Sequence, residues 1–251
     1  MIDIKTVAFF NKKGGVGKTT LCVNLSAILA NKNKKVLIID SDPQCNSTNT
    51  FVNNPDKTLC DLIEKDESLF NIIQKTNIKN LDLIPCSKFF TDTILLINNK
   101  KNREFIFKNA IDNLKIKYDF IFIDCNASLD ISVVNALVAS DEIIVPLHSS
   151  SYSLEGLVDL QEFVDAIKIN YNKNLKIKAS VLNNIDRRTK LHLQVADVID
   201  DTFPQLLAKT TLSQSSIFDK MQFKKQTIID NKLTKSYKEL NNLLKELNYF
   251  G

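Results

Sequence analysis

Three of the five glycines in the chain lie within four positions, Gly14, Gly15 and Gly17, and the next residues are Lys18 and Thr19. Glycine adopts positive φ angles and has no Cβ, so the backbone here can point several N–H groups at one anion. Lys18 would place a positive charge beside the β- and γ-phosphates of a nucleotide, and the Thr19 hydroxyl would bind Mg²⁺. The spacing therefore predicts a phosphate-binding loop at the start of a helix, whose positive end would face the same phosphates.

Acidic side chains follow two apolar runs of the sequence. Asp40 and Asp42 come after Val36–Ile39, and Asp124 comes after Phe120–Ile123. If these runs are parallel strands, their carboxyl ends meet at one edge of the sheet, where a ligand site is expected. A carboxylate there can hold Mg²⁺ through a water molecule, because Mg²⁺ keeps several of its waters. One acid at a strand end is a weak signal, but three in this order after a phosphate-binding loop favour a Mg²⁺–nucleotide site.

Short apolar, β-branched runs alternate with helix-length segments along the chain. A helix is expected over about Lys18–Asn31. The candidate strands are Thr6–Phe10, Val36–Ile39, Leu81–Ile84, Phe120–Ile123, Ile143–Val145 and Ile177–Leu182. This alternation is typical of βαβ units and predicts an α/β fold with a mostly parallel sheet. No repeat or low-complexity linker interrupts it, so residues 1–251 are expected to form a single domain.

Composition narrows the class of protein. The chain has 251 residues, of which 44% are hydrophobic, and this is enough to bury a sizeable core. It shows no secretory signal and no apolar run near the roughly 20 residues of a membrane span. The five cysteines include no C-x-x-C pair, which favours reduced thiols and a cytoplasmic protein. Leucines at helical spacing in Ser236–Leu247 indicate a core-facing stripe, and Glu239 and Glu246 argue against a membrane-surface helix.

Positive charge is concentrated toward the C-terminus. The net charge of the chain is only +4. Residues 209–238 contain seven lysines against Asp219 and Asp230, so the local excess is larger than that of the whole chain. Such a run is often only a solvated face, and by itself it does not identify a partner.

Three boxes resemble those of the ParA/MinD family of deviant-Walker ATPases. Residues 13–20, KGGVGKTT, resemble the deviant Walker A box, with Lys12 where the ordinary pattern has glycine. Residues 40–46, DSDPQCN, resemble a second box, usually D-x-D-P-Q-G-N, with Cys45 in place of glycine. Residues 124–129, DCNASL, resemble a third, usually D-C-P-P-S-L, with Asn126 and Ala127 in place of both prolines.

The resemblance implies a P-loop NTPase-like fold, in which a twisted, mostly parallel sheet has helices on both faces. It also implies a slow, Mg²⁺-dependent ATPase that forms a homodimer on binding ATP. Lys13 would reach the partner's phosphates, Lys18 would bind those of its own subunit, and Asp42 would orient the attacking water. Mg²⁺ would be held near Thr19, Asp40 and Asp124. The implied phosphate-binding residues are Lys13, Gly14, Gly15, Val16, Gly17, Lys18, Thr19 and Thr20.

Two further segments match the family only in pattern. Asn183 follows Ile177–Leu182, at the position where relatives hydrogen-bond the adenine edge; an asparagine there is otherwise a turn residue. Residues 146–157 resemble P-x-Q-x-E-x-x-x-L-E-G-L, which carries dimer contacts in relatives. This chain has His148 for the glutamine and Ser150 for the glutamate.

A DNA-binding surface is also implied. Residues 186–189, DRRT, match the D-x-R-T of partition ATPases, in which the arginine, here Arg188, grips DNA without reading its sequence. A second DNA-binding arginine of relatives aligns with Thr211, so the lysine-rich stretch would have to substitute for it. The candidate DNA-binding residues are Arg187, Arg188, Lys209, Lys220, Lys224 and Lys225.

The match is closest to ParA/Soj-type plasmid or chromosome partition ATPases. It implies that an ATP-bound dimer binds non-specific double-stranded DNA on the nucleoid, and that a ParB-like centromere-binding protein triggers hydrolysis. The first strand begins near Thr6, so no N-terminal helix-turn-helix is expected.

Other classes of function would require sequence features of their own. A MinD-like membrane ATPase would need a basic amphipathic tail, which residues 245–251 supply poorly, so no membrane partner is expected. A reductase with a metal cluster would need paired cysteines, and a metabolic kinase or synthetase would need a substrate motif; neither is visible. A regulatory ATP switch stays open.

Overall fold

The computed structural model describes residues 4–148 and 154–250. Its strands are β1 (Lys5–Phe9), β2 (Val36–Ser41), β3 (Gln74–Lys75), β4 (Leu81–Ile84), β5 (Phe120–Cys125), β6 (Glu142–His148) and β7 (Lys176–Asn183). They form a sheet in the order β3-β4-β2-β5-β1-β6-β7. Neighbouring strands are parallel except β3 and β4, which are antiparallel. The loop after β1 therefore lies at the carboxyl edge of the sheet, between β5 and β6, where open α/β sheets bind ligands.

Helices connect the strands. They are α1 (Lys18–Asn31), α2 (Asn46–Phe51), α3 (Leu59–Glu64), α4 (Leu69–Ile72), α5 (Phe90–Ile97), α6 (Ile106–Asp112), α7 (Ile131–Val138), α8 (Leu154–Asn170), α9 (Leu191–Thr202), α10 (Ile217–Lys224) and α11 (Lys235–Glu246). Two short 3₁₀ turns, Arg103–Phe105 and Ile228–Asn231, precede α6 and α11. The first helix has the bounds that the sequence predicts.

The sheet separates two hydrophobic cores. Side chains alternate across a strand, so Val7 and Phe9 of β1 belong to one core while Ala8 belongs to the other. The first core includes residues of α1, α10 and α11, and the second includes residues of α3, α5, α7 and α8. The α/β fold with helices on both faces of a mostly parallel sheet is thus confirmed.

The C-terminal helix packs as its leucine pattern predicts. Leu240, Leu243 and Leu244 are fully buried and Leu247 is 3% exposed. The Thr234 side chain accepts a hydrogen bond from the Tyr237 backbone and caps the helix, which begins one residue before the predicted segment.

The strand ends differ from the apolar runs in a way that matters for function. The strands β5, β6 and β7 continue through polar residues, so Asp124, His148 and Asn183 belong to the sheet itself. The two-residue strand β3 was not predicted, because Gln74 and Lys75 carry no apolar pattern. Among the described residues, no helix is both long and apolar enough to cross a membrane.

Candidate nucleotide site and basic surface

The loop between β1 and α1 is held open by side chains that do not belong to the glycine motif. The Asn11 amide donates to the Pro146 carbonyl on β6 at 2.8 Å, and its oxygen accepts the Lys13 N–H at 3.0 Å. Lys18 begins α1 and donates from Nζ to the Lys13 carbonyl at 3.1 Å. Burial lowers the pKa of Lys18, against the opposing attraction of Asp124. The hydrogen bond that Lys18 Nζ makes among the described residues is to a carbonyl, so this buried cation is well suited to gain a phosphate partner.

Gly17 and Asn183 fit against each other. Gly17 caps α1 in the left-handed conformation, with φ of 101°. A Cβ at Gly17 would lie 2.1 Å from Nδ2 of Asn183, and that amide donates to the Val16 carbonyl at 2.8 Å. The strand β7 thus supports the loop directly. The predicted contact of Asn183 with adenine stays a prediction, because this amide holds the loop.

Asp40 is the first residue of the second box. It is fully buried, and it accepts hydrogen bonds from the Thr48 backbone at 2.8 Å and from the Thr48 hydroxyl at 2.7 Å. Its other oxygen accepts the Asp42 N–H at 3.1 Å. Burial, reinforced by the charge of Asp124, raises the pKa of Asp40 well above its ordinary value. These bonds make Asp40 a positioning residue for the loop that carries Asp42, and its contact with Mg²⁺ stays a prediction.

Asp124 lies beside Asp40 on the adjacent strand, because β2 and β5 are parallel and these two residues are paired in register. It is fully buried, and one of its oxygens accepts a hydrogen bond from the Ser47 hydroxyl at 2.7 Å. The other oxygen, Oδ1, has no hydrogen-bond partner among the described residues. Burial raises the pKa of Asp124 to about 6, although Ser47 and Thr19 oppose the shift by hydrogen bonding.

The residues around Asp124 fit Mg²⁺. An unpartnered buried carboxylate oxygen is costly, and a water of the Mg²⁺ shell would satisfy it. The Thr19 hydroxyl, which also interacts with Asp124, would be the direct protein ligand. The described residues contain no cluster of three or more acidic, histidine or cysteine side chains suited to a metal. Phosphate oxygens would therefore have to complete the shell, as they do for Mg²⁺ bound together with a nucleotide.

A cavity of about 590 Å³ lies beside the phosphate-binding loop. It is lined by the phosphate-binding loop, by Asp42 and by the third box from Asn126 to Asp130. It continues past α1 to α10, where the lining residues are Phe218, Met221, Gln222 and Gln226. The sequence did not predict this wall. An apolar pair three residues apart on a helix looks like any core-facing stripe, so no local signal marks it.

The second and third boxes differ from the family pattern at Cys45 and at Asn126, and the structure shows how each residue is accommodated. The backbone at Cys45 is left-handed, with φ of 53°, which explains why relatives have glycine there. In the third box, the Asn126 side chain accepts the Ser128 N–H at 2.8 Å and donates to Asp130 at 3.2 Å. Asp130 in turn caps α7. This Asx turn restrains the segment where relatives have two prolines.

The segment of residues 146–157 is only partly described. Ser150 lies outside the described residues. His148 ends β6, and its Nε2 lies 2.7 Å from the Asn184 amide on the loop after β7.

The two adjacent arginines have different surroundings. Arg187 contacts the Ser213 hydroxyl at 2.6 Å, the Thr211 hydroxyl at 3.0 Å and the Glu239 carboxylate of α11 at 3.2 Å. The guanidinium thus lies beside Thr211, the position at which relatives carry an arginine. These contacts hold the loop to α11. Arg187 is therefore expected to contribute to DNA binding less directly than Arg188, and its role stays a prediction.

Arg188 and the lysines present their charges to solvent. The Arg188 side chain is 86% exposed and pairs with Asp186 at 2.7 Å, a contact that lowers the pKa of Asp186 to about 2. Lys209, Lys220, Lys224 and Lys225 are exposed, and Lys225 donates to the Asn53 side chain. A phosphate group could therefore reach most of the predicted cations without unfolding any element.

The fold and the site together define a P-loop ATPase with a second lysine in its phosphate-binding loop. Comparison with known proteins agrees. The profile of the AAA domain family matches residues 4–177. The sporulation initiation inhibitor protein Soj of Bacillus subtilis is 36% identical over 214 residues, covering 84% of this chain and 85% of Soj. The chain therefore belongs to the Soj/ParA family of partition ATPases, as its boxes predict.

Solved structures show the same fold. A putative plasmid partition protein of Borrelia burgdorferi bound to AMPPNP superposes with a TM-score of 0.83 at 23% identity, covering 98% of this chain and 99% of that one. Apo McdA of Cyanothece superposes with a TM-score of 0.87 at 20% identity, covering 98% and 100%.

Proposed function

We propose that this protein is an ATP-dependent DNA partition ATPase. The observation that carries the proposal is the relationship to Soj, which extends over 84% of the chain. The site geometry supports it, because Lys18 of the first box, Asp42 of the second and Asn126 of the third line one cavity at the carboxyl edge of the sheet.

The cofactors of the proposed reaction are ATP and Mg²⁺. When bound, Mg²⁺ neutralises phosphate charge and orients the phosphates. Lys18 and the N–H groups of the loop would hold the phosphates, and the unpartnered Oδ1 of Asp124 would accept a hydrogen bond from a water of the Mg²⁺ shell. Asp42 lines the cavity, and its backbone N–H donates to Asp40; in the proposed reaction its carboxylate would orient the attacking water. Turnover is expected to be slow without a partner protein.

The proposed active form is an ATP-bound homodimer. Lys13 would cross to the phosphates of the second subunit and stabilise charge that develops during phosphoryl transfer. Loss of ATP-driven dimerisation in Lys13→Ala, with ATP binding kept, is the expected result.

The dimer would bind non-specific double-stranded DNA through the surface formed by Arg188, Lys209, Lys220, Lys224 and Lys225, with Arg187 supporting it. These side chains contact phosphates and not base edges, so affinity should fall steeply with salt. A ParB-like centromere-binding protein would trigger hydrolysis and release. The protein would then be associated with the nucleoid.

The alternative functions are those of a MinD-like membrane-associated positioning ATPase and of a regulatory ATP switch. A MinD-like membrane role has less support, because the leucines of α11 are buried in the core and cannot face a lipid surface. A regulatory ATP switch differs from both in that hydrolysis would not be needed.

The test is the affinity for a labelled duplex of arbitrary sequence in Mg·ATP, compared between Arg188→Glu and Lys108→Glu. Both variants change the charge by the same amount, and both cations pair with a nearby aspartate, but Lys108 lies on α6, outside the predicted DNA-binding residues. We expect Arg188→Glu to weaken binding strongly and Lys108→Glu to leave it near wild type. Equal affinity in the two variants would contradict the proposed DNA surface.

A further inference from the structure

Two cysteines meet beside the second box. Cys45 is the N-cap of α2, and its thiol, which donates to the Pro43 carbonyl at 3.4 Å, also interacts with that of Cys86, which follows β4 by two residues. The backbone of Cys45 is left-handed, with φ of 53°, a conformation that disfavours any residue with a Cβ relative to glycine. The chain thus has a cysteine, rather than glycine, at a left-handed position, and the thiol of this cysteine lies near a second thiol.

The approach of the two cysteines is fixed by backbone contacts as well. The Cys86 N–H donates to the Thr48 hydroxyl at 2.8 Å, and Thr48 is the third residue of α2. The Cys45 carbonyl accepts the Asn49 N–H at 2.8 Å. Both cysteines are therefore attached to the first turn of one helix.

The two thiols also differ in the way that a reactive pair requires. All five cysteines are among the described residues, and Cys45 alone is not buried. The hydrogen bond with Cys86 lowers the pKa of Cys45, whereas burial raises the pKa of Cys86. Oxidants react with exposed thiols of low pKa, so Cys45 would react first and Cys86 would resolve the product.

We propose that Cys45 and Cys86 form an oxidation site that closes to a disulfide with a hydroperoxide. The Cys45 thiolate attacks the peroxide, forming an S–O bond as the O–O bond breaks and an alcohol or water leaves. The Cys86 sulfur then attacks the Cys45 sulfenic acid, forming the S–S bond and releasing water. Two thiols lose two electrons in total, and the peroxide accepts them.

The disulfide would act on hydrolysis through the loop of Asp42, and this part rests on the proposed ATPase function. The Cys45 N–H donates to the Asp42 carbonyl at 2.8 Å, and the Gln44 N–H donates to the Asp42 carboxylate at 2.9 Å. Asp42 and Cys45 thus share one tight turn. Drawing Cys45 onto Cys86 shifts that turn, and displacement of a catalytic group by about 1 Å can lower a rate by roughly 100-fold.

The experiment is oxidation of the purified protein with hydrogen peroxide, followed by peptide mapping and by ATPase assay before and after dithiothreitol. We expect free thiols to fall from five to three. The map should show a single Cys45–Cys86 disulfide, and the ATPase loss should be reversed by the reductant. Cys60→Ser, which removes a neighbouring buried thiol, should behave like wild type. Cys45→Gly and Cys86→Ala should each keep their own reduced activity in peroxide.

A different pairing, or overoxidation of Cys45 without a disulfide, would overturn the proposal. A mapped disulfide with unchanged ATPase activity would overturn its effect on hydrolysis. If the reduced protein hydrolyses no ATP at all, the proposed function fails, while the mapping still decides whether the disulfide forms.

Discussion

At the scale of single residues, Asp42 is the group on which the proposed chemistry depends. It lines the cavity, and its carboxylate accepts the Gln44 N–H at 2.9 Å. Asp42→Ala should lower phosphate release by roughly 100-fold or more, the usual range for a group that acts on a proton or a water. Dimerisation in Mg·ATP should persist, because it depends on Lys13 and the phosphate-binding loop. Wild-type turnover in the variant would refute this role.

The raised pKa of Asp124 should make the free energy of unfolding depend on pH. Burial raises its pKa from 3.8 to about 6, so the folded state binds a proton more tightly than the unfolded state. The free energy of unfolding should therefore fall as pH rises from about 4 to about 6, because the unfolded chain ionises first. The change corresponds to about 3 kcal/mol at most.

Asp124→Asn removes this dependence, since asparagine does not ionise. Without nucleotide and Mg²⁺, the variant should be more stable than wild type at pH 7, and the difference should shrink toward pH 4.5. Urea unfolding at the two pH values measures it. A difference independent of pH would show that the pKa of Asp124 is not raised.

At the scale of elements, two roles can be distinguished for Asn183 of β7. One is support of the phosphate-binding loop, and the other is contact with the adenine edge. If its amide mainly holds the Val16 carbonyl, Asn183→Ala should weaken ATP and GTP binding to the same extent. If it contacts the adenine edge, the variant should lose affinity for ATP more than for GTP. Titration of both nucleotides distinguishes the roles, and we expect the equal loss.

The loop after β7 is held to α11 by Arg187. Removing this side chain leaves the Glu239 carboxylate, which is largely buried, with fewer partners. Arg187→Ala should therefore lower the free energy of unfolding by about 1–2 kcal/mol, whereas Arg188→Ala should change it little, because its pair with Asp186 is exposed. Chemical denaturation of the two variants is the measurement; equal stabilities would contradict the assignment.

At the scale of the whole molecule, the sequence predicted what depends on local pattern. Apolar runs ending in polar residues located the strands, and the glycine–lysine spacing located the phosphate-binding loop and the helix Lys18–Asn31. The leucine spacing near the C-terminus identified the core-facing side of α11. In each case the signal lies within one element, so a single segment carries it.

What the sequence could not predict depends on contacts between distant segments. Asn183 reaches Val16, which is 167 residues away, and Arg187 reaches Glu239, which is 52 residues away. The wall that α10 adds to the cavity and the meeting of Cys45 with Cys86 are of the same kind. The strand β3 is too short to show a period.

The central claim is that ATP switches this protein onto DNA. The most direct measurement is its affinity for a non-specific duplex in Mg·ATP and in Mg·ADP, each over a range of salt concentrations. We predict binding in ATP that is much weaker in ADP. In ATP, log K should fall linearly with log salt, with a slope of about −0.9 for each phosphate contacted. Absence of DNA binding in both states, or equal binding in both, would contradict the account.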